Sequence, residues 1–319
     1  MKKFLKIFLI FMVMISTIYG CYRFYQEKKE EKQLQRIQNQ VNEQSKRKID
    51  DELSVIAIGN SNLYSGFNPL QLWHEYKITS FVAAEPSQDP NRAYYILKNV
   101  LEFQHPQLII WEMDEMFTGK DFNDEKAQKY APMNLFPIAR NYTNWKKYSA
   151  QSFKNYDNYD YNYLSRMATK GYLYKTKVKA RKQNKNFMIK TIKRANIKPH
   201  RQEIFYKIVS LLKEKQIPLL LITIPSARSW TMEKHNTIMD LSKEVGVPFL
   251  DLNLNNQLIN WKKDTRDEGM HLNDYGAQKV TAYIGEYLKE HNLIENQTIS
   301  QESQKMWDQD YYDYIEMIN

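Results

Sequence analysis

The chain is predicted to be an α/β protein, a parallel sheet packed between helices on both faces, and three observations carry that prediction. Short, nearly unbroken apolar runs recur at residues 55–58, 78–84, 108–113, 217–224 and 247–252, which suits strands buried on both faces. Between most of them lie stretches of helical periodicity, and β-α-β alternation implies parallel strands joined by helical crossovers. The runs also end in turn formers: Gly59-Asn60-Ser61, Glu85-Pro-Ser-Gln-Asp-Pro90 and Pro225-Ser-Ala-Arg-Ser-Trp230. In such sheets ligands sit beyond the carboxyl ends of the strands, so Ser61, at the first such end, is placed for chemistry.

Composition narrows the class. The chain has 319 residues, 42% apolar and 26% charged, with a net charge of +9. That is an ordinary globular balance, not a disordered one. A single cysteine, Cys21, excludes an intrachain disulfide, and none of the six histidines stands at metal-ligand spacing from another. No metal and no cofactor is expected.

Taken in order, residues 1–24 form the first element. Lys2, Lys3 and Lys6 precede an apolar stretch from 7 to 22, just long enough with its flanks to span a bilayer with the body outside. A cleaved signal would need a small-x-small site, which does not follow, and lipidation at Cys21 would need a better lipobox than Ile18-Tyr-Gly-Cys21. Residues 25–52 are mostly Gln, Glu, Lys, Arg and Asn, with Leu34, Ile37 and Val41 at helical spacing, and read as a charged, solvated helical stalk. Residues 53–292 hold the α/β body, with helices expected near 70–76, 94–103, 204–212, 232–245 and 280–288. The body is interrupted at about 115–199 by a tyrosine-rich insertion with tyrosines at 142, 148, 156, 159, 161, 163, 172 and 174. Residues 161–202 contain no Asp or Glu, and so long a run of one sign invites an anionic polymer or membrane headgroups. Nucleic acid is disfavoured by the expected extracytoplasmic location. Residues 293–319 make an acidic, aromatic tail, either docked on the basic stretch or loose.

The late segment Asp264-Thr-Arg-Asp-Glu-Gly-Met-His271-Leu-Asn-Asp-Tyr-Gly276-Ala277 is the second chemical signal. Together with Gly59-Asn60-Ser61 it resembles the SGNH/GDSL hydrolase superfamily over roughly residues 53–292. The resemblance implies a three-layer α/β/α fold, Ser61 as nucleophile and His271 as its base, with a carboxylate from the same loop orienting the imidazole. The usual acid position, three residues before the histidine, holds Glu268; Asp267 stands four before. Gly269 can take backbone angles that would let the loop bring Asp267 to the ring, so Asp267 is the expected acid, with Glu268 its rival and Asp264 more remote. The oxyanion would be met by Ser61 N–H with Asn62 or Gln88. Two features depart from the pattern: Asn60 replaces the usual Asp, and no Gly-x-Asn-Asp segment is present.

Asn68-Pro69 and Pro86-Ser87-Gln88 resemble a membrane-anchored bacterial branch of the superfamily, which makes Ser87 and Gln88 candidate substrate or oxyanion contacts; a plain turn is the other reading. Ser226, Arg228 and Trp230 would shape a substrate pocket or merely cap and pack a helix. The whole resembles proteins that D-alanylate teichoic acid or O-acetylate exopolysaccharide. It implies a membrane-anchored acyltransferase or esterase acting on a cell-surface glycopolymer, partnered by an integral-membrane O-acyltransferase. The alternative is a catalytically idle SGNH-fold binding or scaffold subunit of the same machinery.

Overall fold

The computed structural model describes residues 2–46, 53–102, 104–130, 161–182, 186–295 and 299–318. Five parallel strands, β1 (Val55–Gly59), β2 (Ser80–Ala84), β3 (Leu108–Glu112), β4 (Leu219–Thr223) and β5 (Phe249–Asp251), lie in the order β2-β1-β3-β4-β5. The register pairs Ile56 with Phe81 on one side and with Ile109 on the other. Every residue of β1 to β4 is buried, because helices cover both faces and leave neither to solvent. The chain leaves β1 for β2 and then returns across it to β3. The order of strands therefore reverses between β1 and β3, where an open sheet forms its ligand crevice.

Alternate residues of each strand serve opposite layers. Ile56, Ile58, Ile109 and Trp111 pack with α4 (Pro90–Val100), α7 (Pro199–Glu214) and α8 (Met232–Val245), through Ile96, Phe205, Ile208 and Ile238. Val55, Ala57, Ile110 and Ile222 pack with α2 (Ser61–Gly66), α3 (Pro69–Tyr76) and α9 (Asp274–Glu290), through Leu63, Phe67, Leu72, Val280 and Ile284. Helix starts follow their caps: Asn68 with Pro69, Asp89 with Pro90, Thr231 and Asn273 each precede a helix and accept from its first-turn amides.

Helix α1 (Lys2–Lys46) is continuous. Among the described residues no helix is long and apolar enough to cross a membrane. The expected solvated stalk is not wholly solvated: Ile37 is fully buried and belongs to the core cluster. The tail forms α10 (Gln301–Ile318), which packs Trp307 against Trp73 with ring centroids 5.7 Å apart and ion-pairs Asp310 with Lys170 at 2.6 Å. Of the insertion, residues 131–160, with the tyrosines at 142, 148, 156 and 159, lie outside the described residues. Helix α5 (Asp124–Tyr130), helix α6 (Tyr161–Ala168) and, of the strap after it, residues 169–182 and 186–198 are described.

That strap is bonded to the body along its length. Val82 N–H donates to Lys170 O, Leu173 N–H to Tyr64 O, Asp274 N–H to Lys175 O, Glu268 N–H to Lys179 O and Arg181 N–H to Trp261 O, all at 2.7–2.9 Å. Nor is its charge unopposed, as the run of one sign suggested. Glu85 meets Arg166, Asp310 meets Lys170, Glu268 meets Lys179 and Lys182, Asp240 meets Arg194, and Asp121 meets Lys198, His200 and Arg201. These acids are distant in sequence, so the pairs, which meet part of the basic stretch, are invisible to any local count.

Candidate active site

Ser61 is the first residue of α2, immediately beyond β1. Gly59 is needed there for close approach, since a Cβ would lie 2.6 Å from Glu112 Cβ; the sharp turn expected of it falls to Asn60 and Ser61. Asn60 caps α2. Its Oδ1 accepts from Asn62 N–H at 2.8 Å, and its carbonyl accepts from Leu63 and Tyr64 N–H. Its Nδ2 donates to Thr118 Oγ1 at 3.2 Å and to Asp114 Oδ2 at 3.4 Å. An aspartate at 60 would set a second carboxylate against Asp114, which is a physical reason for asparagine there.

His271 lies on the loop between β5 and α9, and its Nε2 stands 2.9 Å from Ser61 Oγ. Its Nδ1 stands 2.5 Å from Asp267 Oδ2, while Asp267 Oδ1 accepts from the backbone N–H of Met270 at 3.1 Å and of His271 at 2.7 Å. With Nδ1 donating to the carboxylate, Nε2 is left to accept the serine proton. Positive φ at Glu268 (67°) and Gly269 (95°) turns the chain back on itself, so the acid four residues ahead reaches the ring. Burial acts to raise the Asp267 carboxyl, but the His271 ring and backbone hydrogen bonds, with the nearby His271 and Arg266 charges, outweigh it and hold it below the usual carboxylate range.

The other two acids are engaged elsewhere. Glu268 lies 3.3 Å from Lys179 Nζ and 3.8 Å from Arg228 Nη1. Asp264 is buried, accepting from Lys279 Nζ at 2.5 Å and Asn260 N–H at 2.8 Å.

The remaining expected residues are spread wider. With the amides of 62 to 64 turned to Asn60, the Ser61 N–H is the first-turn donor left for an oxyanion. Asn62 lies beside Ser61 with its Nδ2 bonded to Asp114 Oδ2 at 3.2 Å and Ser229 Oγ at 3.3 Å. Gln88 is fully buried and donates to Glu115 Oε2 at 3.3 Å, and Ser87 is exposed in the turn at φ 53°; these bonds put Gln88 in the interior beneath the turn. Ser226 is buried too. Its Oγ donates to Met270 O at 2.7 Å and its N–H to Asn253 Oδ1 at 2.9 Å, clamping the β4 loop to the histidine loop. Trp230, expected to line a pocket, is buried and donates Nε1–H to Asp251 Oδ2 at 2.9 Å. Its amphipathic ring is satisfied inside, so it offers packing and not a substrate face.

Sequence reading missed three supports. Asp114, just past β3, gathers Asn60, Asn62, Thr118 and, at 3.0 Å, Lys234 Nζ. Arg266 donates from Nη2 to Ser65 Oγ at 2.8 Å, and Ser65 Oγ donates to Ser61 O at 2.6 Å. Arg266 thereby joins the loop of Asp267 to the helix of Ser61. Thr265 Oγ1 donates to His271 O at 2.9 Å and accepts from Gly269 N–H at 2.8 Å, which fixes the loop internally. The position of Arg266 one residue before the acid was the one local signal, and nothing in the sequence pairs it with Ser65.

No family model matches the chain, and no curated protein matches it in sequence. Among solved structures it is similar to a provisionally assigned acylhydrolase from Bacteroides fragilis NCTC 9343, at 10% identity and a TM-score of 0.38, covering 78% of this chain and 94% of that one. It is also similar to a GDSL-like lipase from Bacteroides thetaiotaomicron VPI-5482, at 10% identity and a TM-score of 0.36, covering 80% of this chain and 98% of that one.

Proposed function

We propose that this chain is a serine esterase or acyltransferase of SGNH/GDSL type, in which Ser61 attacks an acyl ester, His271 takes its proton and Asp267 orients the ring. The observation that carries the reading is the unbroken hydrogen-bonded line from Asp267 through His271 to Ser61, at 2.5 and 2.9 Å. In the acyl-enzyme so formed the leaving alcohol receives that proton from His271. Water or a sugar hydroxyl then completes hydrolysis or transfer. A fluorophosphonate probe should label the wild-type chain and leave Ser61→Ala unlabelled, and absence of labelling in the wild type would refute the enzyme reading.

One observation favours the second reading, an idle scaffold subunit. Both side-chain donors expected to join Ser61 N–H at an oxyanion, Asn62 and Gln88, are committed to Asp114, Ser229 and Glu115. Full polymer modification in cells carrying Ser61→Ala would decide for the scaffold.

The proposed setting is the outer face of a cell membrane, with a cell-surface glycopolymer as substrate and an integral-membrane O-acyltransferase as donor partner. What supports the anchor is the 7–22 apolar stretch behind three lysines, together with the exposure of Phe8, Phe11, Met12, Val13, Met14, Ile15 and Ile18 on α1. A helix apolar on all sides is stable only where something apolar surrounds it. Protease added to wall-stripped cells should digest the body, and an intact chain would refute this topology. Lys177, Lys190 and Lys193 are exposed on the basic stretch. Their replacement by Gln should weaken salt-sensitive binding to an anionic polymer; unchanged binding would remove that role.

A further inference from the structure

Beside the histidine loop, beyond the carboxyl ends of β4 and β5, lies a cavity of about 280 Å³ whose wall includes Trp261, Phe187, Arg181, Asn186, Asn255 and Asn256. We propose that this cavity is a subsite for one sugar unit of the substrate, a proposal that rests on the esterase or acyltransferase reading above for its place in the reaction.

The chemistry of the wall selects the ligand. Phe187 and Trp261 meet edge to face, centroids 5.5 Å apart at 88°, and the Arg181 guanidinium lies 5.4 Å from the Phe187 centroid. Asn186 and Asn255 spend their carbonyl oxygens on the backbone N–H of Met188 and Gln257, at 3.0 and 3.2 Å. Among the described residues this leaves each with an amide NH₂ to donate. Asn256 is exposed at the rim. A pyranose has one apolar C–H face and a girdle of hydroxyls, so it needs an aromatic surface and several neutral amides together. An acyl chain could lie on Pro225, Leu252 and Ile259, which also line the cavity, but would leave those amides unpaired, at a cost. A polyanion would want several cations where the wall offers one. The volume falls just below the usual range of ligand sites, about 300–1,000 Å³, which suits a single ring and not a long segment.

Position ties the cavity to the reaction. Arg181 N–H donates to Trp261 O at 2.9 Å, and a Cβ on Gly269 would stand 3.2 Å from Arg181 Cδ and 3.6 Å from Trp261 Cε3. Gly269 is two residues before His271, a span of at most about 7 Å. The cavity wall thus packs on the loop that carries His271, the side from which a neighbouring unit of a bound polymer would approach Ser61.

The test is ligand-observed NMR on the full chain, with chitotriose and maltotriose as probes and poly(glycerol phosphate) as a polyanion without a sugar ring. At least one trisaccharide should bind the wild type and the Ser61→Ala variant equally. Trp261→Leu should weaken it about tenfold, the scale of an aromatic contact, and Asn256→Ala, at an exposed position with little risk to folding, by severalfold. The subsite is overturned if neither trisaccharide binds, if both variants bind as the wild type does, or if only the polyanion binds in a salt-dependent way. The two readings separate cleanly: fluorophosphonate labelling of Ser61 without trisaccharide binding overturns the subsite and leaves the esterase reading standing. Trisaccharide binding without labelling keeps the subsite and removes the esterase reading.

Discussion

Two of the aspartate–histidine pairs among the described residues meet through the imidazole Nδ1 at nearly the same length, Asp267–His271 at 2.5 Å and Asp251–His235 at 2.7 Å. Their surroundings differ. In the first pair the far nitrogen of the imidazole meets Ser61 Oγ at the edge of the crevice, and the acid is half-buried. In the second, Asp251 is buried and saturated: Oδ2 also accepts from Trp230 Nε1, and Oδ1 accepts from Thr223 Oγ1 at 2.6 Å and Asn253 N–H at 2.9 Å. Burial works to raise the Asp251 carboxyl, yet the bonds from His235, Thr223, Trp230 and Asn253 hold it low. The second pair fastens β5 to α8. A carboxylate beside an imidazole thus marks structure or chemistry according to what the other ring nitrogen meets.

The largest effect expected from this contrast is at the serine. Ser61→Ala should lower ester turnover by at least about 10⁴-fold with melting unchanged, measured with a chromogenic acetate ester. His235→Gln should lower the melting temperature and leave probe labelling of Ser61 in place; loss of labelling there would erase the distinction between the pairs. Next, Asp267→Asn should cost about 10²–10⁴-fold in kcat, because the ring loses its orienting anion. Glu268→Gln should stay within a few-fold, and the reverse ranking would transfer the role of acid. Asp251→Asn should destabilise the fold by about 3 kcal/mol, a buried network losing its anion, as read by chemical denaturation.

Smaller effects sharpen the first pair. Arg266 is a positioning residue, so Arg266→Met should lower kcat about tenfold with KM little changed. Arg266→Lys should recover part of the loss through Ser65. Equal losses in both kcat and KM would point to substrate contact instead. The last effect concerns pH. Burial pushes the Glu115 carboxyl up to about 8, against hydrogen bonds from Trp111 and Gln88. The unfolded chain releases this proton near pH 4.5, whereas the folded chain keeps it until about pH 8. Stability should therefore fall as pH rises across that window, at most by about 1.4 kcal/mol per pH unit from this group, and level off above it. Glu115→Gln should flatten the fall in melting temperature between pH 5 and 8. An unchanged slope would assign it to other acids, Glu112 first, which burial also raises.

Strand and helix identity were legible because apolar runs and helical periodicity are local properties. The run at 55–58 covers all of β1 but its last residue, those at 78–84, 108–113 and 217–224 enclose β2 to β4, and α3, α4, α8 and α9 each follow a residue whose side chain accepts from first-turn amides. Ser61 and His271 were legible as well, one from its place after the first strand and the other from its loop composition. The choice among Asp264, Asp267 and Glu268 was legible only in part: Gly269 pointed to Asp267, but the outcome depends on positive φ at two consecutive residues and on cations from the strap that occupy Glu268. For Trp230 and Ser226 the packing reading holds over the pocket reading, for a related reason. A residue at a strand's carboxyl end has the right address for a pocket, but whether it faces the crevice or the interior is settled by its partner, here Asp251 for one and Met270 for the other. The sequence by itself determined the layers, the order of elements along the chain, and Ser61 and His271 as candidates for one site, since each follows from short-range pattern. Only the tertiary structure showed the backbone turn that brings Asp267 to the ring, the distant acids that meet part of the basic stretch, and Arg266 joining the two halves of the site. The last two are contacts between residues far apart in the chain, fixed by packing that no local pattern encodes.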